Sequence, residues 1–213
     1  ALDKVRQSQV ETCWSDAGLA TPAEWTQCGD PAYAGGRELQ CGYRAVLEAA
    51  PEDVWPHIAR IGGATGWYAG DSLWRMRGLL DQLVAGPGLT RGRRHPKELR
   101  EGDALDFFRV LKVEPPARLL LHSEMRVPGD AYLEFHVEKI SRNATELTLL
   151  ARFQPRGLAG LLYWYGIYPL HHAVFGGMLE GLAKATGKTF LEEPRRYTKI
   201  LKNACAIFTK ALD

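Results

Sequence analysis

Among the 213 residues, His171 and His172 are the side chains best suited to acid–base or metal chemistry. Neighbours on a helix project about 100° apart, so the pair cannot easily grip one ion, and one of them is placed to face a cavity. A hydrogen-bonded core histidine is the plainer account. Four charges, Asp106, Arg109, Glu124 and Glu134, stand inside otherwise apolar runs. If residues 104–113 form one strand, alternation puts Arg109 with Leu105, Phe107 and Leu111, and Asp106 with Phe108 and Val110. Whichever face is concave then carries a charge that needs a partner, either in a structural ion pair or as a group that orients a ligand. No G-x-S-x-G, H-E-x-x-H, P-loop or G-x-G-x-x-G pattern is present. Cysteines at 13, 28, 41 and 205 stand singly, without zinc spacing, and read as reduced thiols; neither a metal nor a cofactor is expected in this chain.

The elements that must position these groups follow from periodicity. Residues 37–48 alternate as a half-buried strand. Pro51-Glu52-Asp53 opens a helix with Val54, Trp55, Ile58 and Ile61 on one face, and Gly62-Gly63 stops it. Trp67 and Tyr68 lie on a glycine-rich connection to a second helix over residues 72–84, whose Leu73, Met76, Leu80, Leu83 and Val84 should point inward. Four strands follow, over residues 104–113, 117–126, 131–140 and 144–153. Turn chemistry at Pro115-Pro116, Pro128-Gly129-Asp130 and Ser141-Arg142-Asn143 makes them an antiparallel meander. Leu133, Phe135 and Val137 share one side of it; Glu134, His136 and Glu138 share the other.

Residues 157–188 have the longest helical period, with Leu158, Leu161, Tyr165, Tyr168, His172, Phe175, Leu179 and Leu182 on one stripe. Pro169 should break or kink this helix. No Asp, Glu, Lys or Arg occurs from 157 to 179, yet five glycines, Pro169 and two histidines dilute the run, so no transmembrane segment is expected. Residues 189–213 read as a basic amphipathic helix, beginning at Pro194, with Tyr197, Ile200, Leu201, Ala204, Phe208 and Leu212 on one face. Residues 1–36 read as an irregular arm pinned by Trp14, Trp25 and Tyr33. A composition of 46% hydrophobic and 24% charged residues, a net charge of +2 and no signal-peptide pattern point to a cytoplasmic globular protein. One basic loop without a basic domain makes nucleic acid an unexpected partner.

The order of one strand, two short helices, a meander and a long helix resembles the α+β helix-grip fold of the START-like (SRPBCC) superfamily. In that fold a curved antiparallel sheet wraps a long C-terminal helix. Within it the chain is similar to a bacterial family of unknown function that often follows an NAD(P)-binding, epimerase-like domain. The resemblance rests on PEDVW (51–55), IGGATGWY (61–68), LWRMRGLLD (73–81), GLTRGRRHP (88–96), GDALDFFRV (102–110), EMRVPGDAYLEF (124–135) and FQPRGLAGLLYWYGIYPLH (153–171). It implies a START-like domain over 37–188, with residues 1–36 as an arm or the end of a preceding NAD(P)-binding domain, on the same or a partner chain.

The resemblance also implies a hydrophobic or lipid-like ligand between sheet and helix, near Trp67, Tyr68, Trp74, Arg109, Glu134, Tyr165, Tyr168, His171 and His172. Arg91, Arg93 and Arg94 recur in the family pattern and suggest an anion contact, to a phosphate or to carboxylates of the body. A pocket of a few hundred Å³ is the expectation. An enzyme of cyclase or dehydratase type using Arg109, Glu134 or His171 is the alternative. An interior closed by side chains would end the binding reading and favour a third role, as an assembly module.

Overall fold

The computed structural model describes residues 38–83, 86–88 and 92–197, so the arm at 1–36, Arg91 and the segment beyond Tyr197 lie outside the described residues. Seven strands form one antiparallel sheet in the order β2-β3-β4-β5-β6-β1-β7. They are β1 (Leu39–Leu47), β2 (Ala104–Leu105), β3 (Phe108–Glu114), β4 (Arg118–Ser123), β5 (Gly129–Ser141), β6 (Ala144–Pro155) and β7 (Phe190–Tyr197). Among the described residues three helices accompany them, α1 (Pro51–Ile58), α2 (Asp71–Leu83) and α3 (Gly157–Thr186), with a 3-10 turn at Gly63–Thr65.

Alternation decides which face of the sheet meets α3. In β5 and β6 the residues Leu133, Phe135, Val137, Leu147, Leu149 and Phe153 are all buried in one core with Phe175, Met178, Leu179 and Leu182 of α3. The β5–β6 ladder runs from Gly129 opposite Pro155 to Ser141 opposite Ala144, which carries this pattern along both strands. A slip of one residue would turn every apolar side chain outward.

α3 approaches the β4–β5 connection so closely at Gly160 that a Cβ there would sit 2.4 Å from the Pro128 carbonyl oxygen. Its end is set by Gly187 in the left-handed region (φ 66°), where Gly187 N–H donates to Lys184 and Lys188 N–H to Ala183. That pair of bonds is the Schellman pattern. Pro169 does not end the helix. The carbonyl of Tyr165, which loses its intrahelical donor, lies on the same exposed side as Pro169, where water has access.

Four elements depart from the pattern read in the sequence. Residues 104–113 are a hairpin rather than one strand: Leu105 pairs with Phe108 across Asp106-Phe107, with Asp106 at φ 53°. The turn resets alternation, so Phe107 and Phe108 are both buried. Residues 190–197 form a strand antiparallel to β1, not the beginning of a helix. On α3 the inward stripe is Trp164, His171, Phe175, Met178 and Leu182, so Leu158 (71% exposed) and Tyr165 (59%) face solvent. Finally, α2 is inverted beyond its first turn: Leu73 packs against the core as expected, and Val84 lies outside the described residues. Its buried residues are Gly78 and Asp81, while Met76, Leu79, Leu80 and Leu83 are exposed.

Phe175→Ala should therefore cost about 3–5 kcal/mol of stability, the range for emptying a buried aromatic site. Leu162→Ala, 67% exposed on the same helix, should stay within about 0.5 kcal/mol. Urea denaturation of both variants checks the assignment of the two faces.

Candidate functional site

The interior of the grip lies between α3, the sheet and α2. Phe153 stacks on Trp164 (centroids 5.6 Å, interplanar 6°), and His171 stacks on Phe175 (4.9 Å, 10°) with its edge toward Trp164. From α2, Trp74 inserts against Trp67 and Phe107, its indole N–H donating to the Ala69 carbonyl at 3.1 Å. Arg77 lies over the Tyr163 ring (5.3 Å to the centroid) and donates to its hydroxyl. The space left is about 60 Å³, lined by Trp74, Arg77, Phe153, Tyr163, Trp164 and His171 among others. That holds about two water molecules. The expected pocket of a few hundred Å³ is therefore not present in this state, because aromatic side chains and the two α2 groups fill it.

The polar groups at this void are few. His171 Nδ1 is buried without a hydrogen-bond partner. Burial, then the Arg77 charge and His172, push its imidazole down to about 4, so it is neutral at physiological pH. Burial raises the Tyr163 phenol, and the Arg77 guanidinium opposes that rise. No carboxylate lines the space.

Other residues picked out in the sequence are placed elsewhere. His172 turns away from His171 toward β1 and β7, where Tyr43 Oη lies 2.7 Å from its Nδ1 and Arg196 Nε donates to the same atom at 3.2 Å. Tyr168 packs edge-on against it (4.5 Å). Tyr165 is on the solvent face. Arg109 holds Glu124 through two bonds (3.0 and 3.3 Å) and the Gly102 carbonyl, at the sheet margin rather than in the interior.

Glu134 is on the opposite face of the sheet from the core. Arg118 donates to it at 2.6 Å, Arg152 lies at 3.7 Å and His136 at 3.1 Å. Burial pushes its carboxyl up, but His136 and the two arginines outweigh that and hold it at about 2. It is a structural ion-pair centre.

A larger, open concavity of about 580 Å³ lies outside the grip, along Gly63–Trp67, Asp71, Trp74, Arg75, Arg93 and Asp106. Most of its charged groups are already occupied by the chain. Arg93 donates to the carbonyls of Ile61 (2.7 Å), Ala59 (2.8 Å), His95 (2.6 Å) and Glu98 (3.2 Å). Asp106 Oδ2 accepts from Gly63 N–H and Trp67 Nε1 at 3.1 and 3.0 Å, and Asp71 accepts from Trp67 N–H. Arg94 clasps Asp103 at 2.7 and 2.9 Å. Tyr68, with φ 64°, donates its hydroxyl to the His57 carbonyl. Arg93 and Arg94 thus secure the glycine loop and the body, which leaves the smaller interior space as the candidate site.

Arg77, Tyr163, Trp164 and Asp81 were not singled out as site residues in the sequence. Asp81 is buried on α2 and accepts from the backbone N–H of Gly88 (2.9 Å) and Arg126 (2.8 Å). A lone acid beside Gly78 on one side of a helix whose leucines lie on the other was the available signal.

This architecture, a sheet closed around one long helix, is the helix-grip class. Residues 35–178 match the family described as protein of unknown function (DUF2867), and the chain belongs to that family. No curated protein matches its sequence. Similar solved structures include truncated norcoclaurine synthase from Thalictrum flavum, at 8% identity over 70% of this chain and 94% of that one, TM-score 0.45. An HSP90 activator from Plasmodium falciparum has 12% identity over 73% and 99%, TM-score 0.40. A solution structure from Thermobifida fusca has 12% identity over 70% and 93%, TM-score 0.44.

The lowered imidazole of His171 fixes a pH dependence. Its unfolded value is 6.5 and its folded value about 4, so the unfolded chain binds more protons between them. Stability is full above 6.5 and falls as pH drops toward 4, by up to about 3 kcal/mol. Glu134 adds a separate loss only below 4.5. Melting temperatures from pH 7 to 4.5 should fall less steeply for His171→Leu than for the native chain.

Proposed function

We propose that this chain is a binding module for a hydrophobic or lipid-like small molecule, held between sheet and α3 and covered by α2. The carrying observation is the attachment of α2. It seals the interior with Trp74 and Arg77 while burying only Gly78 and Asp81 along its length. A void of about 60 Å³ taken alone counts against binding and favours an assembly role. Against that role, the plug belongs to a helix with only two fully buried residues, Gly78 and Asp81, and few buried contacts favour local opening. Withdrawal of Trp74 and Arg77 joins their volume to the void and moves it toward the usual range of ligand sites. Arg77, Tyr163 and Ser123, with no carboxylate lining the space, suit a ligand whose polar end accepts hydrogen bonds, such as a carboxylate or carbonyl.

The enzyme reading is favoured by one observation, the neutral His171 with an unpartnered Nδ1 at the same void as a phenol–guanidinium pair. That arrangement supplies a base and an acid to a carbonyl compound.

Trp74→Ala should bind a fluorescent fatty-acid analogue about tenfold more tightly than the native chain, because the closed state no longer competes. Titration of both proteins, with native mass spectrometry for stoichiometry, checks this. If neither protein binds the analogue or carries a co-purified ligand, the binding reading fails and the assembly role stands.

A further inference from the structure

Beyond Leu73 and Trp74, α2 carries its large apolar residues on the wrong side for a helix that packs on its own domain. At 100° per residue, Met76, Leu79, Leu80 and Leu83 fall within one arc of roughly a third of a turn, and Trp74, Gly78 and Asp81 lie opposite. The four are 50%, 64%, 56% and 78% exposed. A second set lies near the same end of the domain. The β4–β5 connection touches α2 through Arg126 N–H on Asp81, and α3 through the Pro128 carbonyl, which accepts from Arg156 N–H. That connection therefore brings the end of α2 beside the first turns of α3, where Leu158 and Leu162 are exposed. Six large aliphatic side chains thus stand out around the element that covers the grip.

We propose that this surface docks on a lipid bilayer. The proposal rests on the binding reading above and names where the ligand is exchanged. Three features favour lipid over a protein partner. The outward residues are leucine and methionine, whereas protein-binding hot spots are enriched in Trp, Tyr and Arg and poor in Leu. The exposed charges around them, Arg75 on α2, Arg126 in the connection and Arg156 before α3, are cations, as at helices that lie in an anionic membrane interface. Arg156 is paired with Asp130, and Asp71 stands at the far end of α2. The helix that presents the stripe is also the one whose inner face plugs the interior, so insertion of its leucines draws on the element that must move for a ligand to pass. No described helix is long and apolar enough to cross a membrane, so the contact is interfacial.

The test is flotation of the full chain with vesicles of phosphatidylcholine and phosphatidylserine, beside vesicles of phosphatidylcholine alone. The native chain should float with the mixed vesicles and less with the neutral ones. The double variant Leu79→Gln with Leu83→Gln, altered only at exposed positions, should partition at least about tenfold less. The same variant should bind the fatty-acid analogue in vesicle-free solution as Trp74→Ala does once Trp74→Ala is added to it, which separates failure of docking from failure of the binding site. Equal flotation of native and double-variant chains overturns the proposal. So does absence of flotation together with a native dimer that the double variant dissolves in sedimentation, which would assign the face to a second copy of the chain.

Discussion

The Asp81 carboxylate accepts the backbone N–H of Gly88, just beyond α2, and that of Arg126, in the β4–β5 connection, and it does so from the inner face of the helix. Turning α2 by half a turn would bury four aliphatic side chains, each worth about 1.5–3 kcal/mol if fully covered. It would also break both bonds to Asp81, strand two amides at about 1–3 kcal/mol each, and expose Trp74. On those numbers the two orientations are close. Volume decides between them, because an interior with about 60 Å³ to spare has no room for Met76 and three leucines in place of Trp74 and Arg77. Asp81 thus fixes not only one helix but what fills the grip and what the surface shows.

Carboxylates are kept out of that interior by the sheet itself, and the Arg77 charge enters it from α2. Glu134 with Arg118 and Arg152, Arg109 with Glu124, and Arg44 with Glu146 stand at the margin or on the face away from α3. Such partly buried pairs offset their own desolvation more than they add stability, and their effect is on register. A one-residue slip of β5 on β6 would carry Glu134 into the aromatic core, a far larger penalty than the loss of any one pair. Arg93 does comparable work at the other edge, where four carbonyl bonds hold the turn after α1 against the loop that precedes β2.

The fold was legible in the sequence because it depends on alternation and turn chemistry, which are local. The meander, the helices after β1 and the long α3 follow from them, and Leu133, Phe135 and Val137 lie on the face expected. What was not legible depends on contacts between distant segments. The Asp106 turn splits one apparent strand because Asp106 is held by Gly63 and Trp67, which lie over forty positions and thirty-nine positions away in the chain. The stripe on α3 slipped by about one residue over its first half, since the unbroken run without a charge from Gly157 to Leu170 leaves period alone unable to rank Trp164 above Tyr165. The inverted α2 could not be read at all: binary pattern says apolar inward, and only Asp81 and the filled interior reverse it. Of the site residues, His171 and Trp74 reach the interior, whereas Tyr165, Arg109 and Glu134 were placed there by treating buried charge and aromatic content as signs of a cavity.

The edges of the sheet sharpen the meaning of the exposed helix face. β2 is two residues long, and β7 carries Pro194 with charged residues around it, both of which discourage pairing with another chain. Strand addition is therefore a poor route to association for this domain. Its exposed aliphatic groups tell the same story: outside α2 and the first turns of α3, the described residues show only Ile140, Leu170 and Leu191 as large exposed aliphatics, on separate elements. Isolated residues of that kind occur on any soluble surface, but six gathered around one covering helix do not. Edges that discourage pairing, alongside an exposed aliphatic helix face, are what a domain needs if that face meets an apolar phase while the rest of its surface stays in water.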